Sequence, residues 1–225
     1  MSPRRPSAGS AVAGGSRTAV TEDGVKHLRR ADPVMRALID RIGPLDEYAR
    51  RRGRPTDAYG TLLRAIVGQQ LSTKAARTIY ERMTGLWGGK TPTPQQLLDT
   101  DPEAIRAAGM SRPKVAYLRD LAEHVLDGRL ELDRLDELSD DEISAELTAV
   151  KGIGQWSADM FLIFFLGRPD VLPVGDLGVR RAAGVVYAMP EMPAPEALFE
   201  LGEPWRPHRS LASLYLWRSL DNEPQ

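Results

Sequence analysis

The sequence predicts an all-α protein. Three observations carry the prediction: apolar residues recur at helical spacing in one segment after another, and those segments open on Ser, Thr or Asp, often with proline next. In addition, no stretch alternates at period two for long enough to make a strand. At 225 residues the chain has room for one ordinary domain, or for one compact body of two lobes. It contains no cysteine, which excludes disulfides, zinc–cysteine sites, thiol nucleophiles and cysteine-ligated iron–sulfur clusters. A formal net charge of -1 gives no global pull toward nucleic acid, so any DNA contact needs local positive charge. The longest strongly apolar run, residues 160–166, is far short of the roughly 20 residues that span a bilayer. The N-terminus lacks a signal-peptide apolar region. The expectation is a soluble cytoplasmic monomer with no membrane partner.

Residues 1–20, rich in Ser, Gly, Ala, Pro and Arg without periodicity, are expected to form a disordered tail, leaving 21–225 as the folded part. Arg4, Arg5 and Arg17 lie in that tail, where a solvated role and contact with a polyanion are both open. Asp32-Pro33 pairs an N-cap with proline at the first helical position, and Val34, Leu38 and Ile42 keep one face apolar up to Gly43. The basic run Arg50-Arg51-Arg52 with Arg54 falls in a loop, as a solvated patch or a phosphate contact. Thr56 or Asp57 then caps a helix through Tyr59, Leu62, Leu63, Ile66 and Val67. Gly68-Gln69-Gln70-Leu71 interrupts that pattern, and Ser72 caps the next helix, 73 to about 86. Two glutamines in a turn between buried helices fit a polar joint or a surface that meets a ligand, and spacing does not choose.

Pro94 and Pro102 each begin a short helix. Ala107-Ala108-Gly109-Met110-Ser111-Arg112 turns into a longer one, to about 127, with Val115, Leu118, Leu121, Ala122 and Val125 apolar. This glycine turn before a basic helix start is similar to the later turn at Gly152, which is too little to establish a repeat. Ser139 and Glu142 form a capping box. The helix they open ends at Lys151-Gly152-Ile153-Gly154, and residues 155–166 follow as a helix apolar nearly all round, hence a central core helix.

The turn at 151–154 supplies a phosphate site. Two glycines let the backbone bend closely, and the amides opening the next helix carry the positive end of its dipole. Lys151 adds a charge for the same anion, and such a contact reads no base sequence. The same glycines fit a Schellman-type helix end, which any helical protein can contain. Downstream, the Gly/Pro-rich connector 167–175 delivers Asp176 to the start of a helix, 177 to about 188. Backbone amides and the helix dipole favour its ionised form there, and a purely structural cap has the same sequence.

Hairpin, apolar helix, Gly/Pro loop and aspartate together resemble the helix-hairpin-helix (HhH-GPD) DNA glycosylase superfamily, and within it the 3-methyladenine DNA glycosylase II type. The resemblance covers about residues 30–222. It implies a two-lobed helical bundle with a cleft between lobes at about 56–149 and at 150–225 plus 21–55. It assigns Asp176 as the catalytic carboxylate. Trp156 matches a tryptophan of the alkylated-base pocket, where bifunctional relatives carry a Schiff-base lysine, so a monofunctional enzyme is implied. Residues 68–72 resemble the segment that plugs the gap left by an extruded base, with Gln70 favoured as the inserted residue and Gln69 or Leu71 next; Ser72 completes it. Lys151, Gly152, Ile153 and Gly154 are assigned to DNA. Residues 204–212 resemble the segment beside the pocket, which makes Trp205 and His208 candidate walls, with Met160 and Tyr59 also assigned there. Two positions depart from the best-known bacterial form: His208 stands for a second pocket tryptophan and Met160 for a tyrosine. Its N-terminal β-rich domain has no counterpart in the sequence.

The implied activity is base excision repair: a duplex-DNA nucleotide is flipped and an alkylated base such as 3-methyladenine or 7-methylguanine is released by hydrolysis. The cleavage passes through an oxocarbenium-like state, which a fixed carboxylate stabilises directly or by orienting water. An N-alkylated purine already carries positive charge, so one carboxylate suffices, and an indole attracts it by a cation–π contact of roughly 0.5–2 kcal/mol. Trp156 otherwise reads as a core aromatic. Asp159 and Asp170 are weaker candidates, Asp159 as a hydrogen-bond partner of a neighbouring helix end. His27, His124 and His208 share no metal-ligand spacing, so no catalytic metal is expected; the relatives suggest a monovalent cation at the hairpin carbonyls. Three other readings stay open: a non-catalytic hairpin module that binds damaged DNA, a bifunctional lyase using Lys151, and a helical protein with no DNA role.

Overall fold

The structure, a computed structural model, describes residues 20–45 and 57–220. The expected tail, the alternative cap Thr56 and the basic run Arg50–Arg52 with Arg54 lie outside them, apart from Val20. Twelve α-helices and no strand are present among the described residues. They are α1 Glu22–Ala31, α2 Pro33–Ile42, α3 Ala58–Gly68, α4 Thr73–Gly85, α5 Pro94–Asp99 and α6 Pro102–Ala107. After these come α7 Arg112–Leu126, α8 Asp140–Ala149, α9 Gln155–Phe161, α10 Leu177–Val186, α11 Pro195–Leu201 and α12 Arg209–Leu220. The fold class is the expected one, and no helix among the described residues is long and apolar enough to cross a membrane.

The boundaries follow the capping chemistry. Asp32, Asp57, Ser72, Asp101, Ser111, Ser139 and Asp176 each accept a backbone N–H from the first turn of the helix that follows. The capping box at Ser139 and Glu142 is present, and a second one joins Thr93 and Gln96. Helix α1 is an addition to the expected set. Its start is legible in hindsight: Thr21 accepts from Gly24 N, Glu22 and Asp23 occupy the first turn, and Arg29 and Arg30 the last.

Two clusters of buried side chains divide the molecule. The first takes residues between Tyr59 and Val171, among them Leu63, Ile66, Leu118, Leu147, Ile153 and Phe161, together with Leu214. The second gathers Leu28, Met35, Leu172, Val179, Trp205, Leu211 and Tyr215. Each fully buried aliphatic side chain, such as Ile66 at 0% exposure, contributes roughly 1.5–3 kcal/mol. The chain passes from one cluster to the other between Val171 and Leu172, inside the connector. The hairpin and α9 therefore pack with the first core, and the boundary expected at 149/150 is moved downstream.

The central helix is also different from the one expected. Residues 155–166 are α9 plus a wider π-helical turn, Leu162–Leu166, and Trp156 on α9 is 51% exposed. Helix α12 is the enclosed one, with Arg209 through Leu216 all buried. It lies at the seam: Leu214 belongs to the first core, Leu211, Ala212, Tyr215 and Leu216 to the second, and Trp217 packs against both.

Candidate active site and DNA interface

Asp176 stands at the end of the connector, where the chain has just entered the second core. It caps α10: Oδ1 accepts from Val179 N at 2.7 Å. The same oxygen accepts from Trp217 Nε1 at 2.9 Å, and Oδ2 accepts from Trp156 Nε1 at 2.6 Å. Two indoles from different helices thus grip one carboxylate. Asp176 is 8% exposed, while the Trp156 ring is half outside the protein. Gly178 makes the grip possible: a Cβ there would lie 3.0 Å from Asp176 Oδ1 and 3.2 Å from the Trp217 ring. The Trp217 ring stacks on Phe164 with centroids 5.6 Å apart, which ties the site to the π-helical turn.

A carboxylate offers about four lone-pair positions. The three donors on Asp176 leave one position on Oδ2 without a protein partner among the described residues. One turn after Trp156, Asp159 is buried and accepts from Gln155 Nε2 at 2.8 Å, a bond within its own helix rather than to a neighbouring helix end. Burial pushes the Asp159 carboxyl above the usual aspartate range, and the charge of Asp176 pushes it the same way. Asp170 is structural: its oxygens accept from Arg209 Nε at 2.8 Å and from Arg206 at 2.7 Å.

The hairpin between α8 and α9 has the expected shape. Gly152 has φ +84, and a Cβ on it would fall 2.3 Å from the Tyr117 ring, so both conformation and space demand glycine. Ile153 anchors the turn in the first core, and Lys151 N donates to Asp120 Oδ2 at 2.8 Å. Lys151 Nζ lies 3.1 Å from Asp120 Oδ1, with its side chain 76% exposed. Burial acts to raise the Asp120 carboxyl, but the bonds from Lys151 and the nearby charges of His124 and Lys151 outweigh it and leave the group below the usual range. His124 Nδ1 lies 2.8 Å from Asp120 O, and Arg129 Nη1 lies 2.9 Å from its Nε2.

The glutamine turn reaches the hairpin directly, since Gln69 Nε2 donates to Gly152 O at 2.6 Å. Gln70 has φ 58, Leu71 is 38% exposed, and Ser72 caps α4. Lys114 Nζ donates to Val67 O and Gln69 O at 2.8 and 2.7 Å. Three hairpin carbonyls are engaged: Gly152 O takes Gln69, Val150 O takes Ile153 N, and Gly154 O takes Ser157 and Ala158 N. A carbonyl has two lone pairs, so neutral oxygens remain at Val150 and Gly152 for a monovalent cation, which would add charge to a phosphate contact. Among the described residues no group of three His, Cys, Asp or Glu is placed to hold a metal.

The remaining pocket assignments separate. Trp205 is 0% exposed and belongs to the second core, where Nε1 donates to Asp32 Oδ2 at 2.9 Å. A ring enclosed on all sides has no face for a base, so its assignment as a pocket wall is corrected to a structural one. His208 is half-buried against α1, with its ring 5.3 Å from that of His27. Burial and His27 lower its imidazole below the usual histidine range. Met160 is half-buried on the rim of the first core. Tyr59 is inside that core, its hydroxyl without a hydrogen-bond partner among the described residues, and burial raises its phenol far above the usual range. Trp217 carries half the grip on Asp176 and was not among the sequence candidates. It lies 41 residues after Asp176, and no spacing marks it.

With this geometry in hand, comparison with known proteins gives a consistent result. The family model described as HhH-GPD superfamily base excision DNA repair protein matches residues 63–207. DNA-3-methyladenine glycosylase 1 of Schizosaccharomyces pombe is 33% identical over 195 residues, 86% of this chain and 85% of that one. The crystal structure of a Bacillus halodurans DNA-3-methyladenine glycosidase superposes with a TM-score of 0.80 at 38% identity, covering 88% of this chain and 89% of that one. The S. pombe 3-methyladenine DNA glycosylase in complex with abasic DNA gives 0.76 at 32% identity, covering 88% and 97%. A gripped carboxylate after a hairpin, a matching family model and these likenesses agree, and the chain belongs to the HhH-GPD superfamily of base excision DNA repair proteins.

Proposed function

We propose that this protein is a monofunctional DNA glycosylase that hydrolytically releases alkylated bases from duplex DNA. The observation that carries the reading is the Asp176 carboxylate, held by Trp156, Trp217 and Val179 N with one lone-pair position left over. The similar proteins named DNA-3-methyladenine glycosylase support the substrate class.

The hairpin grips a phosphate through the amides opening α9 and through Lys151. The 68–72 turn fills the gap as the nucleotide leaves the stack, with Gln70 or Leu71 inserted; Gln69 is engaged with the hairpin. The exposed face of Trp156 stacks on the cationic alkylated base. As the N-glycosidic bond lengthens, positive charge grows on the sugar. The free position on Asp176 Oδ2 faces that charge or orients the attacking water, and fixed indole dipoles keep the carboxylate in place without reorganisation. The base leaves as a neutral molecule, so no general acid is required.

A lyase step needs an amine at the sugar. The Lys151 ammonium is directed to Asp120 and the Lys114 ammonium to two carbonyls, while Trp156 is the residue against Asp176. Borohydride is expected to trap no covalent DNA adduct. The decisive test is Asp176→Asn on methylated duplex DNA: base release is expected to fall about 1,000-fold or more, with duplex affinity retained. Release at the wild-type rate would remove Asp176 from the mechanism.

A further inference from the structure

The turn between α3 and α4 is exposed at its tip, yet its backbone is tied from two sides. Lys114, at the start of α7, sends its ammonium to the carbonyls of Val67 and Gln69, 47 and 45 residues away in sequence. Those carbonyls end a helix and have no partner within it, so a cation there answers both the orphan acceptors and the dipole. Gln69 then ties the same turn to the hairpin through Gly152 O, 83 residues on. Burial pulls the Lys114 ammonium below the usual lysine range, so the placement opposes its own charge. Gln70, next in line, is held in the left-handed region with φ 58, where non-glycine residues rarely sit.

We propose that Lys114 is a positioning residue that locks the 68–72 turn to the hairpin, so that phosphate grip and insertion act as one rigid body. This rests on the reading of that turn as the segment that enters the base stack. Pushing a side chain between bases requires the turn not to recoil, and the reaction force must be taken by a part of the protein already fixed on the backbone. The chain Lys114, Gln69, Gly152 makes that connection, and none of its members need touch DNA bases.

The test uses the full chain and duplexes carrying one alkylated base with 2-aminopurine beside it, whose fluorescence reports unstacking. Lys114→Met keeps the aliphatic stem and removes the donors. Its single-turnover base release is expected to fall about tenfold, the loss of a charge-assisted bond, with a weaker fluorescence rise and affinity for undamaged duplex within about twofold. Placing the target in a bulge, already unstacked, should bring Lys114→Met back to within about threefold of wild type, and Lys114→Arg should recover most of the duplex rate. A purely structural lysine would not show the rescue by the bulge. Gln69→Met removes only the tie to the hairpin and is expected to reproduce the loss, which keeps the idea testable if Lys114→Met folds poorly. Wild-type fluorescence and rates in Lys114→Met, or in Gln69→Met where only that variant folds, overturn the proposal. If Gln70→Ala/Leu71→Ala is impaired in the same assay, the insertion reading survives that failure. If that double variant is also unimpaired, the insertion reading falls with it.

Discussion

Asp32 and Asp176 share almost every local feature. Each caps a helix, each is 8% exposed, and each accepts an indole N–H. They differ in saturation. Asp32 Oδ1 takes Val34 N and Met35 N, and Oδ2 takes Tyr187 Oη at 2.5 Å and Trp205 Nε1 at 2.9 Å, which fills four positions. Asp176 has three donors, one of them from a ring that is half in solvent. A carboxylate with every lone pair used, one of them by a fully enclosed indole, can only hold the structure together. One with a position left, at a mouth lined by an exposed aromatic face, can also meet a ligand. The residue types do not separate the two roles; the count of donors and the exposure of the tryptophan do.

Exchanging the same mutation between the two sites is the strongest way to break this contrast. Asp176→Asn is expected to abolish base release, about 1,000-fold or more, at a stability cost of about 1 kcal/mol for the weakened cap. Asp32→Ala should do the reverse. It strands the buried Trp205 N–H and the Tyr187 hydroxyl, at about 1–3 kcal/mol each, and removes a cap as well. Urea denaturation should show a loss of about 3 kcal/mol or more, while release per folded molecule stays near wild type. Loss of activity in folded Asp32→Ala would make the second core part of the site.

The tryptophans sharpen the contrast at smaller scale. Trp217→Phe keeps the stack on Phe164 and loses one hydrogen bond to Asp176, so base release should fall about tenfold with little change in duplex affinity. Trp205→Phe, which keeps most of the buried area, should lower stability by about 1–2 kcal/mol and leave the rate unchanged. Single-turnover kinetics beside urea titrations on both variants decide the matter. Equal kinetic effects would mean that Trp205 reaches the base after all.

The fold was legible because its helices announce their starts: seven of the caps named above are side chains whose hydrogen bonds are local, and local chemistry survives in sequence. The hairpin and Asp176 were legible for the same reason, as a run of consecutive residues with one constraint each. Trp217, Lys114 and the enclosure of Trp205 were not. Each depends on a contact between segments 41 or more residues apart, 45 or 47 apart, and 173 apart. Trp205 shows the failure clearly. An indole beside prolines and a histidine reads equally well as a pocket wall or as a buried donor, and only Asp32 across the second core distinguishes them.

Acid titration gives the smallest and most specific effect, and it separates Asp32 from another buried carboxylate, Asp159. Burial acts to raise the Asp32 carboxyl, but the bonds from Trp205, Tyr187, Met35 and Val34 outweigh it and leave the group below the usual aspartate range. A carboxyl depressed in the folded state binds its proton less readily than in the unfolded chain, where its value is about 3.9. Its contribution to stability is therefore complete above that value and is lost as the pH falls through the lower, folded one. Urea midpoints of the wild type should decline over that acidic window, and Asp32→Asn, which has no proton to take up, should decline less steeply. Asp159 has the opposite sign, because burial raises its carboxyl in the folded state. The penalty for ionising it grows as the pH rises above the unfolded value and is complete once the folded value is passed. Asp159→Asn should accordingly gain stability relative to the wild type at neutral pH and lose that advantage in acid, a crossing that an unburied aspartate would not produce.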